Sequence, residues 1–71
     1  MDKELIKCIA DDEGWELVEP QPDKWYLRFE KEGTIFDVWA TTGTIRIIKE
    51  NGAIYSRDNT IEDIEEKLKC K

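Results

Sequence analysis

The sequence has no histidine, a single methionine, two prolines and two cysteines. Without histidine, neither a Ser–His nor a Cys–His nucleophilic pair can be assembled, and Ser56, Cys8 and Cys70 have no recognisable activating base. Cys8 and Cys70 stand near opposite ends of the chain and show no Cys-x-x-Cys spacing. A zinc site would have to draw its remaining ligands from carboxylates alone, which suit zinc poorly. The plainer expectation is two reduced thiols. The sharper one is a disulfide tying the terminal segments, which requires those segments to pack side by side.

Basic residues are also scarce: 11 Lys and Arg stand against 17 Asp and Glu, for a formal charge of −6. Nucleic-acid affinity comes mainly from Lys and Arg neutralising phosphates, so direct nucleic-acid binding is not expected. The acidity favours solubility and basic partners. Long apolar runs are missing, which argues against a membrane span. The opening Met1-Asp2-Lys3-Glu4 is charged and unlike a signal peptide. A cytoplasmic location, in a host cell on the reading developed below, is the expectation, with no membrane partner, no metal and no cofactor.

What the chain does have is aromatic mass. Seventy-one residues make one domain, and 39% of them are hydrophobic, including three Trp, two Tyr and two Phe. A chain of this length buries only about 60% of the surface its unfolded form exposes. Each large aromatic can bury on the order of 150–250 Å², which offsets the thin margin. An aromatic-rich core is expected, together with a surface for self-association.

The periodicity reads α-β-β-β-β-β-α. Asp2 to Glu13 forms a helix with Leu5, Ile6, Ile9 and Ala10 on one stripe, Cys8 at its edge and Gly14 as its stop. Trp15 to Glu19 is a short strand, broken by Pro20-Gln21-Pro22-Asp23. In the strand Lys24 to Lys31, Trp25, Leu27 and Phe29 point one way and Tyr26, Arg28 and Glu30 the other. Glu32-Gly33 turns the chain into Thr34 to Ala40, with Ile35, Asp37 and Trp39 opposite Phe36, Val38 and Ala40. Apolar groups on both faces mark this strand as central and covered on both sides. Thr41-Thr42-Gly43 leads to Thr44 to Lys49, and Asn51-Gly52 reads as a type I′ hairpin into Ala53 to Arg57. Asp58-Asn59-Thr60 caps a last helix, Ile61 to Lys69, with Ile61, Ile64 and Leu68 inward. The fold class is α+β: a small antiparallel meander of four to five strands flanked by an N-terminal and a C-terminal helix. One or both helices should cover the face marked by Trp25, Leu27 and Phe29.

Four features could carry function. Asp11, Asp12, Glu13 and Glu16 form an acidic run at the helix end, read either as a solvated end, as a hard-cation holder or as a partner-binding surface; no EF-hand spacing is present. Asp37 stands among apolar neighbours, and a buried carboxylate needs a partner. Arg28, Arg46 and Arg57 are the candidates for an ion pair, and a hydrogen bond from a ligand is the functional alternative. Thr41-Thr42-Gly43-Thr44 offers hydroxyls and turn amides, with Arg46 just beyond, as an anion cradle; it lacks the Gly-Lys-Thr ending of a P-loop. Finally, Tyr26 with Arg28, Tyr55 with Arg57, and Trp39 with Arg46 combine aromatic and guanidinium groups. Such groups hold a base or nucleotide or form protein hot spots, besides stabilising sheets.

The stretch Phe36-Asp37-Val38-Trp39-Ala40-Thr41-Thr42-Gly43-Thr44-Ile45-Arg46, followed by a hairpin and a closing helix, resembles a pattern in small phage and prophage proteins. Those read Asp, aromatic or aliphatic, aromatic, small, Ser or Thr, Thr, Gly, then Thr or Lys. The resemblance spans the C-terminal half. Ala40 stands where those proteins carry Pro, and the segment after the turn is less basic here. It implies a mobile-element setting and no particular activity.

The expectation is a small acidic binding protein rather than an enzyme: a phage-type accessory inhibitor that neutralises a host factor, either an immune protein or its nucleotide messenger. The expected ligand-binding residues are Trp39, Thr42, Thr44, Arg46, Arg28, Arg57 and Tyr55. Asp11, Asp12, Glu13 and Glu16 are the expected partner-binding acidic surface, mimicking nucleic acid. The alternative is a structural or assembly module that self-associates by aromatic packing into a homo-oligomer.

Overall fold

A computed structural model describes residues 2–18 and 24–69. Cys70 and the expected break over Pro20-Gln21-Pro22-Asp23 lie outside the described residues, and with Cys70 the disulfide expectation. Cys8 is an exposed free thiol.

Helix α1 spans Lys3–Asp12. The Asp2 carboxylate caps it, accepting from the backbone N–H of Glu4 at 3.0 Å and of Leu5 at 3.2 Å. Its C-terminus closes in a Schellman arrangement: Trp15 N donates to Ala10 O and Gly14 N to Asp11 O, with Gly14 at φ +86°. That closure sets Trp15 directly after the helix, facing the core.

Five strands follow: β1 (Glu16–Leu17), β2 (Tyr26–Lys31), β3 (Thr34–Trp39), β4 (Thr44–Lys49) and β5 (Gly52–Ser56). They form one antiparallel sheet in chain order, the meander expected from the short connections. Helix α2 spans Ile61–Lys69. Thr60 and Asp63 cap it reciprocally, Thr60 N donating to Asp63 Oδ2 and Asp63 N to Thr60 Oγ1.

Register assigns the two faces. Leu27, Val38 and Ile45 align across β2–β4, as do Phe29, Phe36 and Ile47. All but the partly buried Ile47, which packs against them, join Ile6 and Ala10 of α1, Ile64 and Leu68 of α2, and Trp15 in one buried cluster. Both helices therefore cover this inner face. Trp15 anchors the arrangement, its indole N–H donating to Leu68 O at 2.9 Å and its ring meeting Phe36 edge-on at 5.5 Å.

Three expectations change. First, β3 is central, but its second face bears no helix; Asp37 is nonetheless fully buried there, beneath the side chains of neighbouring strands. Second, Leu27 and Phe29 are buried, whereas Trp25 precedes β2 and remains 43% exposed. Its place in the order of burial is taken by Tyr26 on the opposite face. Third, the type I′ geometry is at Glu32-Gly33, with φ +50° and +82°, not at Asn51-Gly52. Gly52 pairs with Lys49 as the first residue of β5, and Glu50-Asn51 forms the connection.

Candidate functional site

The helix-free outer face of the sheet brings the expected residues together. Register sets Arg28, Asp37, Arg46 and Tyr55 in one row across β2–β5. The adjacent row holds Tyr26, Trp39 and Thr44.

Asp37 is the hub. Its Oδ1 accepts from the Tyr26 hydroxyl at 2.6 Å and from Arg28 Nε at 2.8 Å. Its Oδ2 accepts from Arg46 Nη2 at 2.6 Å, Arg46 Nε at 2.9 Å and Arg28 Nη2 at 3.3 Å. Burial pushes the Asp37 carboxyl up, but hydrogen bonds from Arg28, Tyr26 and Arg46 outweigh it and hold the group below its ordinary value. The same burial, then the bond to Asp37, raises the Tyr26 phenol. Hydrogen bonding to Asp37 raises both guanidiniums. Both carboxylate oxygens are thus occupied by protein donors, and the carboxylate serves the protein rather than a ligand. Arg57, one of three expected partners, takes no part.

Around this hub the rings stack. Tyr26 and Trp39 lie 4.9 Å apart between centroids, tilted by 31°. Arg46 lies over Trp39 at 5.3 Å and Arg28 over Tyr26 at 5.9 Å. Two arginines and two aromatics are thereby immobilised about one buried charge.

Beside this array, Trp39, Thr42, Thr44, Tyr55 and Arg57 line a shallow open groove. Tyr55 is 65% exposed, among the most exposed large hydrophobic residues of the described chain. Five of the seven expected ligand-binding residues share this groove, and Arg46 and Arg28 sit behind it on the same face.

The turn that shapes the groove's end is committed internally. Thr42 N and Gly43 N both donate to Trp39 O, and the Thr42 and Thr44 hydroxyls bond each other at 2.7 Å. The expected anion cradle of turn amides is therefore already satisfied, which leaves hydroxyls and Arg57 for an anion. The turn is also clamped from below. Asn59 donates to Gly43 O through its backbone N at 3.0 Å and through Nδ2 at 2.7 Å. Gly43 has φ +68°, and a Cβ there would stand 2.6 Å from Asn59 O. Only glycine fits that turn.

Of the acidic run, Asp11, Asp12 and Glu16 are exposed and Glu13 is half-buried. Asp11 and Asp12 stand at the end of α1, and Glu16 follows on β1, where it pairs with Glu30. The Glu13 carbonyl accepts from Lys31 Nζ. Among the described residues no group of three His, Cys, Asp or Glu side chains is placed to hold a metal ion. No helix among them is long and apolar enough to cross a membrane.

Tyr26 as a ligand of Asp37 and Asn59 as the clamp on Gly43 escaped the sequence. Tyr26 was readable as a face-mate of Arg28, but its partner across β3 depends on register. Asn59 was readable only as a cap.

No protein-family model matches this sequence, and no curated protein or solved structure matches it either.

Proposed function

We propose that the chain is a non-enzymatic binding protein, a phage-type accessory inhibitor that neutralises a host factor by capturing a planar anionic ligand of the nucleotide class on its outer sheet face. The observation carrying this reading is the shared groove of Trp39, Thr42, Thr44, Tyr55 and Arg57 beside a rigid arginine–aromatic array. Trp39 and Tyr55 offer ring faces for a base. Arg57 has no side-chain hydrogen bond or ion pair among the described residues and offers charge. Arg28 and Arg46, already neutralised in part by Asp37, contribute positive potential and rigidity. Pre-organisation lowers the ordering cost of binding. The mobile-element setting comes from the Asp37 to Thr44 resemblance.

Native mass spectrometry of the full chain with a nucleotide and cyclic-nucleotide panel tests this reading. Stoichiometric added mass that disappears in Tyr55→Ala and Arg57→Ala supports it. An unliganded spectrum across the panel removes the nucleotide class and turns attention to a host protein docked on the same face.

A second reading, a self-associating assembly module, has its own observation. Strand β5 is a sheet edge, carries no charged residue from Gly52 to Ser56, and exposes Ile54 and Tyr55 on its two faces. Unprotected edges of this kind pair with other strands. The alternative predicts a concentration-dependent oligomer that Ile54→Lys dissociates, read by analytical ultracentrifugation.

A further inference from the structure

The opposite face of the sheet carries a second feature, independent of the groove. On the inner side of β5, Ile54 is left largely uncovered. The gap left there is a partly enclosed cavity of about 60 Å³, walled by Trp15, Phe36, Ile47 and Ile54. Phe36 is fully buried and Trp15 nearly so, whereas Ile54 is 60% exposed at the mouth. The wall is rigid, because Trp15 is held by Leu68 O and packs edge-on against Phe36.

The rim is cationic. Lys31, Lys49 and Lys67 surround the opening with Glu32 as the single acid. On a chain of net charge −6 this is a local reversal of sign. Lys31 lies over the Trp15 ring at 5.8 Å and also donates to Glu13 O, so its charge is fixed at the mouth. Lys49 is exposed on β4, and Lys67 is half-buried on α2. Three strands or helices thus each deliver one lysine to the same apolar opening.

We infer that this cavity binds a short-chain carboxylate: an alkyl body seated against Trp15, Phe36, Ile47 and Ile54, with its anionic head among Lys31, Lys49 and Lys67. The enclosed space holds roughly four or five water-sized groups, which suits a few methylenes and excludes a long acyl chain. Burial of the alkyl body supplies affinity, and the lysines supply choice of head group. A neutral alcohol of equal length keeps the first contribution and lacks the second. A polar anion without an alkyl body keeps only the second.

Titration of the ¹⁵N-labelled full chain with hexanoate, hexan-1-ol and acetate, followed by NMR, tests the inference. Hexanoate is expected to give saturating shifts at the Trp15 indole N–H and at Phe36, Ile47 and Ile54, leaving Tyr55 and Arg57 unmoved. Hexan-1-ol and acetate should each bind at least about tenfold more weakly. Lys49→Gln and Lys67→Gln lie at exposed or half-exposed positions and should each weaken hexanoate about three- to fivefold, as screened ion pairs do, with the fold retained. Non-saturating shifts, equal affinity for the alcohol, unaltered affinity in both lysine variants, or shifts centred on the outer face would each overturn it.

Discussion

Asp37→Asn is the perturbation that asks most of this fold. Asparagine matches aspartate in size, so the change leaves no cavity and isolates charge and hydrogen bonding. Asp37 is 0% exposed and receives Tyr26, Arg28 and Arg46 together. After substitution one oxygen becomes an NH₂ group facing guanidinium donors, and two arginines on neighbouring strands keep their charges without the intervening anion. Breaking a buried pair by neutralising one partner costs about 3–5 kcal/mol. The Arg28 and Arg46 side chains are 35% and 26% exposed, so water recovers part of that loss. About 2–4 kcal/mol remains. A domain of this length has roughly 4–10 kcal/mol in total, and each kcal/mol moves its thermal midpoint by about 4–8 °C. The variant should therefore melt some 10–30 °C lower. Urea unfolding followed by tryptophan fluorescence, repeated for Arg46→Gln and the double variant, gives the magnitude. The double variant should lose less than the sum of the singles. A loss under about 1 kcal/mol, or strict additivity, would refute the assignment of Asp37 as the hub.

Three further outcomes follow from the same geometry. Because the Asp37 carboxyl lies below its ordinary value, the unfolded chain takes up that proton first as pH falls; the stability it carries is intact above about pH 4 and is lost as pH drops through the lower folded value, so acid titration of the melting midpoint should be shallower in Asp37→Asn. Gly43→Ala adds a Cβ 2.6 Å from Asn59 O at φ +68°, whereas Gly33→Ala at φ +82° meets nothing within 4 Å; chemical denaturation should show the first costing clearly more than the ~1–2 kcal/mol expected from left-handed strain alone, and the second no more than that. Helix α1 has no basic residue in its last turn and ends in Asp11-Asp12, against its dipole, so Asp12→Lys should raise stability by about 0.3–1 kcal/mol in low salt and by less in high salt, measured by urea midpoints.

Much of the architecture was legible in the chain itself. Period-two alternation in Tyr26 to Lys31 and Thr34 to Trp39, glycines at the turns, and i, i+3, i+7 spacing in Ile61, Ile64 and Leu68 are local signals, because each element's hydrogen bonds and buried stripe are local properties. The meander followed from connections too short for any crossover. The outer-face grouping of Tyr55 and Arg57 with Trp39 was only partly legible: each pair was visible on its own strand, but their convergence needed the pairing of Arg46 with Tyr55 and of Trp39 with Thr44.

What the sequence could not express was which partner a residue would meet across the sheet. Asp37 was visible as a charge among apolar neighbours, but strand register chose Arg28 and Arg46 over Arg57 and brought in the Tyr26 hydroxyl. Asn59 looked like a cap until the loop before α2 was laid under Gly43. The lysine-rimmed cavity is more distant still from any local pattern, since Trp15, Lys31, Lys49, Ile54 and Lys67 come from separate elements. Composition and alternation by themselves determined an acidic, histidine-free α+β meander, because burial and backbone pairing act on near neighbours in the chain. Only the tertiary structure decided where its charges are neutralised and where they remain available, because electrostatic partnership depends on distances that close when the sheet and helices pack.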